Sequence, residues 1–309
     1  DRCSVAGEVV QHPELHGAHR VVYAVQRPAP LISAIMLTRA ETPHLEVALR
    51  GLLEETSYPA LEVLVVINGP SPRPSHLPSW LGDDPRARVF HDPSGFNFAA
   101  LNNRYAAKAR GELLLLLNDD VEVLHSGWLE EMAGHALRPG VGTVGARLWY
   151  PDGTLQHGGV VMGLGGGAGH VQLRTPRGAV GRNARAVLAQ SFSAVTGACL
   201  LVRRRLYAEL GGLDERFAVA YNDIDFCLRV TAAGYRNVWT PFAELVHHES
   251  ATRKADSTPE RIARLAREAD LLLERWPEVI SSDPCWNPNL SLTSSHGSPC
   301  LDPARIRFA

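Results

Sequence analysis

Apolar positions in the first half of the chain fall into short unbroken runs separated by stretches of helical spacing. Leu31 to Leu37 and Leu61 to Ile67 (Leu-Glu-Val-Leu-Val-Val-Ile) read as buried strands, and Arg88 to His91 as a third. Glu112 to Leu117 is a strongly apolar strand and runs directly into Asn118-Asp119-Asp120. Between the strands, Thr42-Pro43 opens a helix reaching Glu55, and Ala99 to Arg110 forms another that Gly111 ends. Asn68-Gly69-Pro70 stops the second strand, and the proline-rich 71–85 segment reads as a surface loop. Alternation of this kind predicts a parallel sheet covered by helices on both faces, an α/β fold.

The pattern is less regular beyond this point. A helix near Trp128 to Leu137, a strand near Thr143 to Leu148 and a Tyr150-Pro151-Asp152-Gly153 turn lead into a glycine-rich stretch from Gly158 to Gly169. A strand at Ala198 to Arg203, a short helix to Leu210 and a Gly211-Gly212 break follow. Next come a helix capped by Asn222 and running to Ala232, then two short strands, Asn237 to Trp239 and Leu245 to His247. Thr258-Pro259-Glu260 begins a helix with Ile262, Leu265, Leu272 and Trp276 on one face. Residues 1–30 read as an irregular N-terminal arm, 31–253 as a single domain, 254–280 as a C-terminal helix, and 281–309 as an extended or disordered tail.

Composition narrows the function classes. The 309 residues are 45% hydrophobic and 21% charged, as a globular chain requires. With 31 basic and 33 acidic side chains, no broad field attracts nucleic acid, so an anionic substrate must be held locally. No apolar run approaches the roughly 20 residues of a membrane span. Cysteines 3, 199, 227, 285 and 300 include no close metal-binding pair and read as idle thiols in a reducing compartment, although Cys285 and Cys300 could pair across the tail. The chain starts at Asp1, and it is expected to be part of a longer multidomain polypeptide.

Three constellations carry chemistry. Asn118-Asp119-Asp120 follows an apolar strand at the edge where open α/β sheets bind ligands. Its adjacent carboxylates suit a hard divalent ion, Mg²⁺ or Mn²⁺, bridging protein to diphosphate, or alternatively the cap of the next helix. Tyr221-Asn222-Asp223-Ile224-Asp225-Phe226 places two carboxylates at a helix start, where they also favour the helix dipole. Positions 223 and 225 lie about 200° apart on a helix, so only one of them can serve as a general base. Val246-His247-His248-Glu249 delivers two histidines to a strand end, and either could join a transition ion such as Mn²⁺. Two features are set aside: the 163–169 glycines lack the helix opening of a dinucleotide loop, and Arg203-Arg204-Arg205 reads as a solvated strand-to-helix turn. Trp149, His157, His170 and Trp239 are candidates for sugar stacking or hydroxyl contacts.

In order, these pieces resemble the family 2 glycosyltransferases of GT-A fold, in particular the rhamnosyltransferase-like branch of O-antigen and surface polysaccharide synthesis. The resemblance runs from Leu31 to about Arg253. It rests on Phe96-Asn97-Phe98-Ala99-Ala100-Leu101-Asn102-Asn103, the Leu115 to Val123 stretch, Tyr150-Pro151-Asp152-Gly153-Thr154-Leu155-Gln156-His157-Gly158-Gly159, and Asn222-Asp223-Ile224-Asp225-Phe226-Cys227-Leu228-Arg229. It implies a Rossmann-like, mixed but mainly parallel sheet, with a nucleotide-binding half (31–124) and an acceptor-binding half (125–253). It also implies an inverting, metal-dependent transfer from a nucleotide-diphosphate sugar to a saccharide or lipid-linked saccharide, in the cytoplasm or at the inner face of the membrane. On this resemblance Asp223 is the base, Asp120 and His247 bind Mn²⁺ or Mg²⁺, and Thr38, Arg39, Glu41, Asn68, Asn97, Asn103 and Asp119 meet the nucleotide. Leu37, Ala40, Asn68, Asn118 and Asn222 depart from the commonest pattern, and Asn118 removes one negative charge from the metal site.

Two other classes stay open on the residues. A nucleotidyltransferase or phosphohydrolase would use the same carboxylates but release pyrophosphate or monophosphate. A non-catalytic carbohydrate-binding module would fit the asparagine substitutions.

Overall fold

The computed structural model describes residues 6–72, 74–249 and 258–300. The chain starts with a hairpin of β1 (Gly7–Gln11) and β2 (His19–Tyr23), where sequence predicted an irregular arm. Both strands are largely exposed, so no apolar run marked them. The hairpin still docks: an added Cβ at Gly134 would lie 2.4 Å from the Tyr23 carbonyl.

β3 (Ile32–Thr38), α1 (His44–Arg50), β4 (Leu61–Ile67), β5 (Ala87–His91), α2 (Phe98–Ala106), β6 (Leu113–Leu117) and β7 (Val121–Val123) form the first half. α3 (Trp128–Ala136), β8 (Val141–Trp149), β9 (Leu155–His157), β10 (Val160–Met162), β11 (Ala168–His170), β12 (Gln190–Phe192) and β13 (Cys199–Arg203) follow. α4 (Arg204–Glu209), α5 (Asn222–Ala232), β14 (Arg236–His247), α6 (Pro259–Arg275) and α7 (Pro277–Ser281) complete it. One 10-stranded sheet runs in the order β12-β14-β8-β13-β6-β3-β4-β5, with β7 on β14 and β9 on β8. β6, β3, β4 and β5 are parallel, as are β8 and β14, while β13 lies antiparallel between β6 and β8. The sheet is therefore mixed.

Strand alternation explains why β6 is all leucine. Leu113, Leu115 and Leu117 join α1 and α3 side chains such as Leu45, Leu49, Trp128 and Met132 on one face. Leu114 and Leu116 join Leu101, Tyr105 and Leu228 on the other. A strand buried on both faces has no solvent side to keep polar.

Three details differ from the expected elements. The two strands foreseen at 237–239 and 245–247 are one, β14, whose pairing with β8 shifts register between Thr240 and Glu244. Pro241 has no backbone N–H to pair there. Asn222 is the first residue of α5 and not its cap; the cap is Tyr221, at φ 63°. The Asn222 amide turns back to donate to the Val219 carbonyl at 3.0 Å. Finally, the described part of the tail is packed and not extended: Trp286 is buried, Gly165 donates to the Leu292 carbonyl, and Gln172 to that of Ser295. Apolar Trp286, Leu290 and Leu292 supply the contact that the serine- and proline-rich composition concealed. Residues 250–257, where the domain was expected to pass into the C-terminal helix, and 301–309 lie outside the described residues, as does Cys3. Cys199, Cys227 and Cys285 are free thiols.

Candidate active site

The carboxyl ends of β3 and β6 and the end of β14 meet where Asn118-Asp119-Asp120 leaves the sheet. β7 pairs antiparallel with β14, matching Val121 to His247, and His248 N–H donates to the Asp120 carbonyl at 2.9 Å. That ladder brings Asp120 and His247 together across 127 residues of chain (247 − 120). His247 Nε2 stands 3.1 Å from Asp120 Oδ1 and 3.1 Å from the Asn118 amide nitrogen. On the other side of the ring, Nδ1 is 2.7 Å from Gln156 Oε1. The Gln156 nitrogen points toward Glu249 Oε2 at 3.1 Å, which fixes the amide with its oxygen toward the histidine. Nδ1 therefore carries a proton, and Nε2, to which the Asn118 amide donates, stands beside Asp120.

This arrangement fits a divalent cation. With ligand bonds of ~2.1 Å at right angles, adjacent ligand atoms on one ion lie roughly 3 Å apart, as do these two. Among the described residues, no group of three or more His, Cys, Asp and Glu side chains is gathered for a metal. Asp120 and His247 could thus supply two positions, and oxygens from water and a diphosphate the rest, as hard ions on nucleotides accept. The neighbouring histidine turns away: His248 Nε2 meets Glu122 at 3.1 Å, and its ring stacks on His44 with centroids 4.4 Å apart.

Asp119 is backed by Thr38, whose hydroxyl donates to Oδ2 at 2.5 Å and accepts the Ala40 N–H at 2.8 Å. Burial pushes the Asp119 carboxyl up to about 6; the Thr38 hydrogen bond opposes this and the Asp120 charge adds to it. Ala40 is buried at φ 50°, a left-handed conformation that is costly for alanine and turns the chain sharply behind the carboxylates. Arg39 and Glu41 beside it are exposed.

The expected asparagines have other tasks. Asn68 gives its amide nitrogen to the Asp92 and Ser94 carbonyls at 2.9 and 2.8 Å and so supports the loop after β5. Asn97 caps α2, accepting the Ala100 N–H. The Asn103 oxygen accepts from Tyr207 and Leu213, and its nitrogen donates to the Leu213 carbonyl and Glu215. Asn97 and Asn103 therefore tie α2 to the 213–215 segment.

Asp223 and Asp225 face opposite ways. Asp223 is half-buried, its oxygens held by the Gly197 and Ile224 N–H groups at 2.7 and 2.8 Å. A side chain at Gly197 would press on it, since an added Cβ would lie 3.3 Å from the Asp223 Cβ. Asp225 is fully buried and binds Arg229, Arg275 and Trp276, anchoring α6. Trp149 and Trp239 are core residues, donating to Glu244 and to the His157 carbonyl. In the arginine run, Arg203 and Arg204 bond backbone carbonyls and Arg205 bonds Glu209. Gln156 and Gly197 are the two positions with roles at this site that sequence reasoning did not single out. Gln156 lay within a quoted stretch, but only the fold shows which histidine it meets.

Comparison with known proteins agrees with this architecture. The family model "Glycosyl transferase family 2" matches residues 33–211, from the strand bearing Thr38 past Asp119-Asp120 to the break after α4. The chain is 49% identical over 268 residues to "Uncharacterized protein y4gI" of Sinorhizobium fredii, covering 85% of this chain and 29% of that protein. It is 41% identical over 281 residues to "O-antigen biosynthesis protein RfbC" of Myxococcus xanthus, covering 90% and 21%. The chain thus spans less than a third of either relative. Among solved structures, a mannosyltransferase from Pyrobaculum calidifontis in complex with GDP-Man and Mn²⁺ shares the fold, with a TM-score of 0.56 and 19% identity over 83% of this chain and 66% of that one. Carboxylates leaving a buried central strand of a mixed sheet, within a family match over more than half of the chain, leave one conclusion: the chain belongs to glycosyl transferase family 2.

Proposed function

We propose that this domain performs an inverting, metal-dependent transfer of a sugar from a nucleotide-diphosphate sugar to a hydroxyl of a saccharide or lipid-linked saccharide, in the building of a surface polysaccharide. The observation that carries this reading is the Asp120–His247 pair, with His247 Nε2 3.1 Å from Asp120 Oδ1 and the ring held from behind by Gln156. The names of the Myxococcus xanthus relative and of the Pyrobaculum calidifontis structure support the polysaccharide, the nucleotide sugar and the metal. No helix among the described residues is long and apolar enough to cross a membrane; a site of action in the cytoplasm or at the inner membrane face is part of the proposal.

In this mechanism Asp223 is the base. Two backbone N–H groups hold its carboxylate in one orientation. It takes the acceptor hydroxyl proton as that oxygen bonds to the anomeric carbon. The bond from that carbon to the diphosphate breaks, and its electron pair leaves on the nucleoside diphosphate from the opposite face. Asp120 and His247 would hold Mn²⁺ or Mg²⁺, which when bound neutralises the diphosphate oxygens. Asp119 with Thr38 behind it, and Arg39 and Glu41 at the rim, face the nucleotide, while Asn68 shapes its floor.

Asp223→Asn tests the assignment. Transfer should fall by roughly 10² to 10⁴ while calorimetric binding of a nucleoside diphosphate with Mn²⁺ persists. Undiminished turnover in that variant removes Asp223 as base. Release of pyrophosphate or monophosphate in place of nucleoside diphosphate replaces the transferase with the phosphoryl-chemistry alternative.

A further inference from the structure

The short strand β9 sets the protonation of two histidines. Gln156 points to one side and fixes His247, as described above. His157 points to the other and is fully buried. Its Nε2 accepts the Thr196 backbone N–H at 3.4 Å, a donor that cannot be reversed, so Nε2 bears no proton. The neutral ring carries its proton on Nδ1, which lies 2.8 Å from Nδ1 of His170 with the rings edge to face. His157 donates in that bond and His170 accepts, so His170 has its own proton on Nε2, the far side of the ring.

Burial holds both imidazoles below the ordinary histidine pKa, for His170 against the pull of the nearby Asp223 and Glu249 carboxylates. The close approach of the two rings depends on the glycines after His157. Gly159 has φ 93°, and an added Cβ there would lie 2.1 Å from the Phe192 ring. Its carbonyl receives the Val171 N–H at 2.9 Å, which extends the pairing of β11 with β10 and holds His170 close to the end of β9.

Among the described residues, nothing accepts a hydrogen bond from His170 Nε2. The ring is half-buried, and the chain ties both carboxylates to the histidine pair: of the consecutive Thr196 and Gly197 N–H groups one meets His157 and the other Asp223, and Gln156, next to His157, donates to Glu249. A carboxylate pair beside a fixed neutral N–H donor is complementary to vicinal sugar hydroxyls: each hydroxyl gives its proton to a carboxylate and needs a donor for its lone pairs. We infer that His170 is a substrate-positioning residue, donating from Nε2 to an acceptor oxygen next to the hydroxyl that Asp223 deprotonates, with His157 holding it in the donor tautomer. This rests on the transferase reading above.

The test has two arms. Nitrogen-15 NMR of histidine-labelled protein should show His157 protonated at Nδ1 and His170 at Nε2, both neutral at pH 7. A His170 protonated at Nδ1, or charged, overturns the inference whatever the enzyme does. In transfer assays with a panel of nucleotide sugars and p-nitrophenyl glycosides, His170→Phe keeps a ring without the donor, and His170→Gln restores an N–H near the Nε2 position. The Phe variant should raise acceptor KM about tenfold, the worth of one hydrogen bond, with donor KM unchanged, and the Gln variant should recover part of it. An unchanged acceptor KM in His170→Phe, or equal losses for donor and acceptor, overturns the role of His170. Absence of nucleoside diphosphate release by the wild-type protein across the donor panel sinks the transferase reading instead, and leaves the NMR arm to decide the tautomers.

Discussion

Gln156→Leu isolates the metal-site geometry from the ligands themselves. The Gln156 oxygen accepts from His247 Nδ1 at 2.7 Å, and both residues are buried. Leucine is close in size but accepts nothing, so the variant strands a buried N–H or releases the ring to the other tautomer, which presents a proton to Asp120 where a lone pair is needed. A buried donor left unpaired costs about 1–3 kcal/mol, and at ~1.4 kcal/mol per tenfold this predicts Mn²⁺ binding weaker by roughly tenfold to a hundredfold. Calorimetric titration of Mn²⁺ into protein saturated with a nucleoside diphosphate measures it, with a thermal melt to verify folding. His247→Ala supplies the reference for loss of the ligand. If Gln156→Leu binds Mn²⁺ like wild type while His247→Ala does not, the tautomer argument is refuted and Gln156 merely fills space.

Three further outcomes follow from the packing. Leu115→Ala, on a strand buried on both faces, should destabilise by about 2–5 kcal/mol in urea unfolding, because the sheet cannot collapse into the space left between two helix layers. Asp225→Ala should leave nucleotide binding intact but expose α6 to limited proteolysis, since Arg275 and Trp276 lose their shared acceptor; equal protease resistance in both proteins contradicts the anchoring role. Burial alone would raise Asp92, but hydrogen bonds from Ser94 and the Arg104 ion pair hold its carboxyl down at about 2. A carboxyl depressed in the folded state stabilises above its unfolded pKa of about 3.9, and this contribution is lost as pH falls toward 2. Asp92→Asn should therefore flatten the stability curve between about pH 4 and 2 and leave its slope at pH 6 to 8 unchanged.

Much of the fold was legible because the signals were local. Leu61 to Ile67 and Leu113 to Leu117 could only be buried strands, and a carboxylate-rich turn directly after the second could only lie at a sheet edge. The helical period alone separated Asp223 from Asp225, and the structure turns one to Gly197 and the other to Arg275. The relatives and the family model bear out the glycosyltransferase resemblance read from the ordered stretches.

What tertiary structure decided involves partners far apart in sequence. His247 and His248 are equivalent as letters; pairing of β14 with β7 turns the first toward Asp120 and the second toward Glu122. Asn103 meets Leu213 across 110 positions, so its whole amide belongs to a loop that composition could not connect to it. The hairpin at the start and the packed tail escaped notice because edge strands and irregular segments bury a few side chains without periodicity. Chemistry-bearing residue types and the strands delivering them are properties of the chain read locally; which lone pair faces which oxygen follows from strand register and hydrogen-bond partners, and these exist only once the sheet has formed.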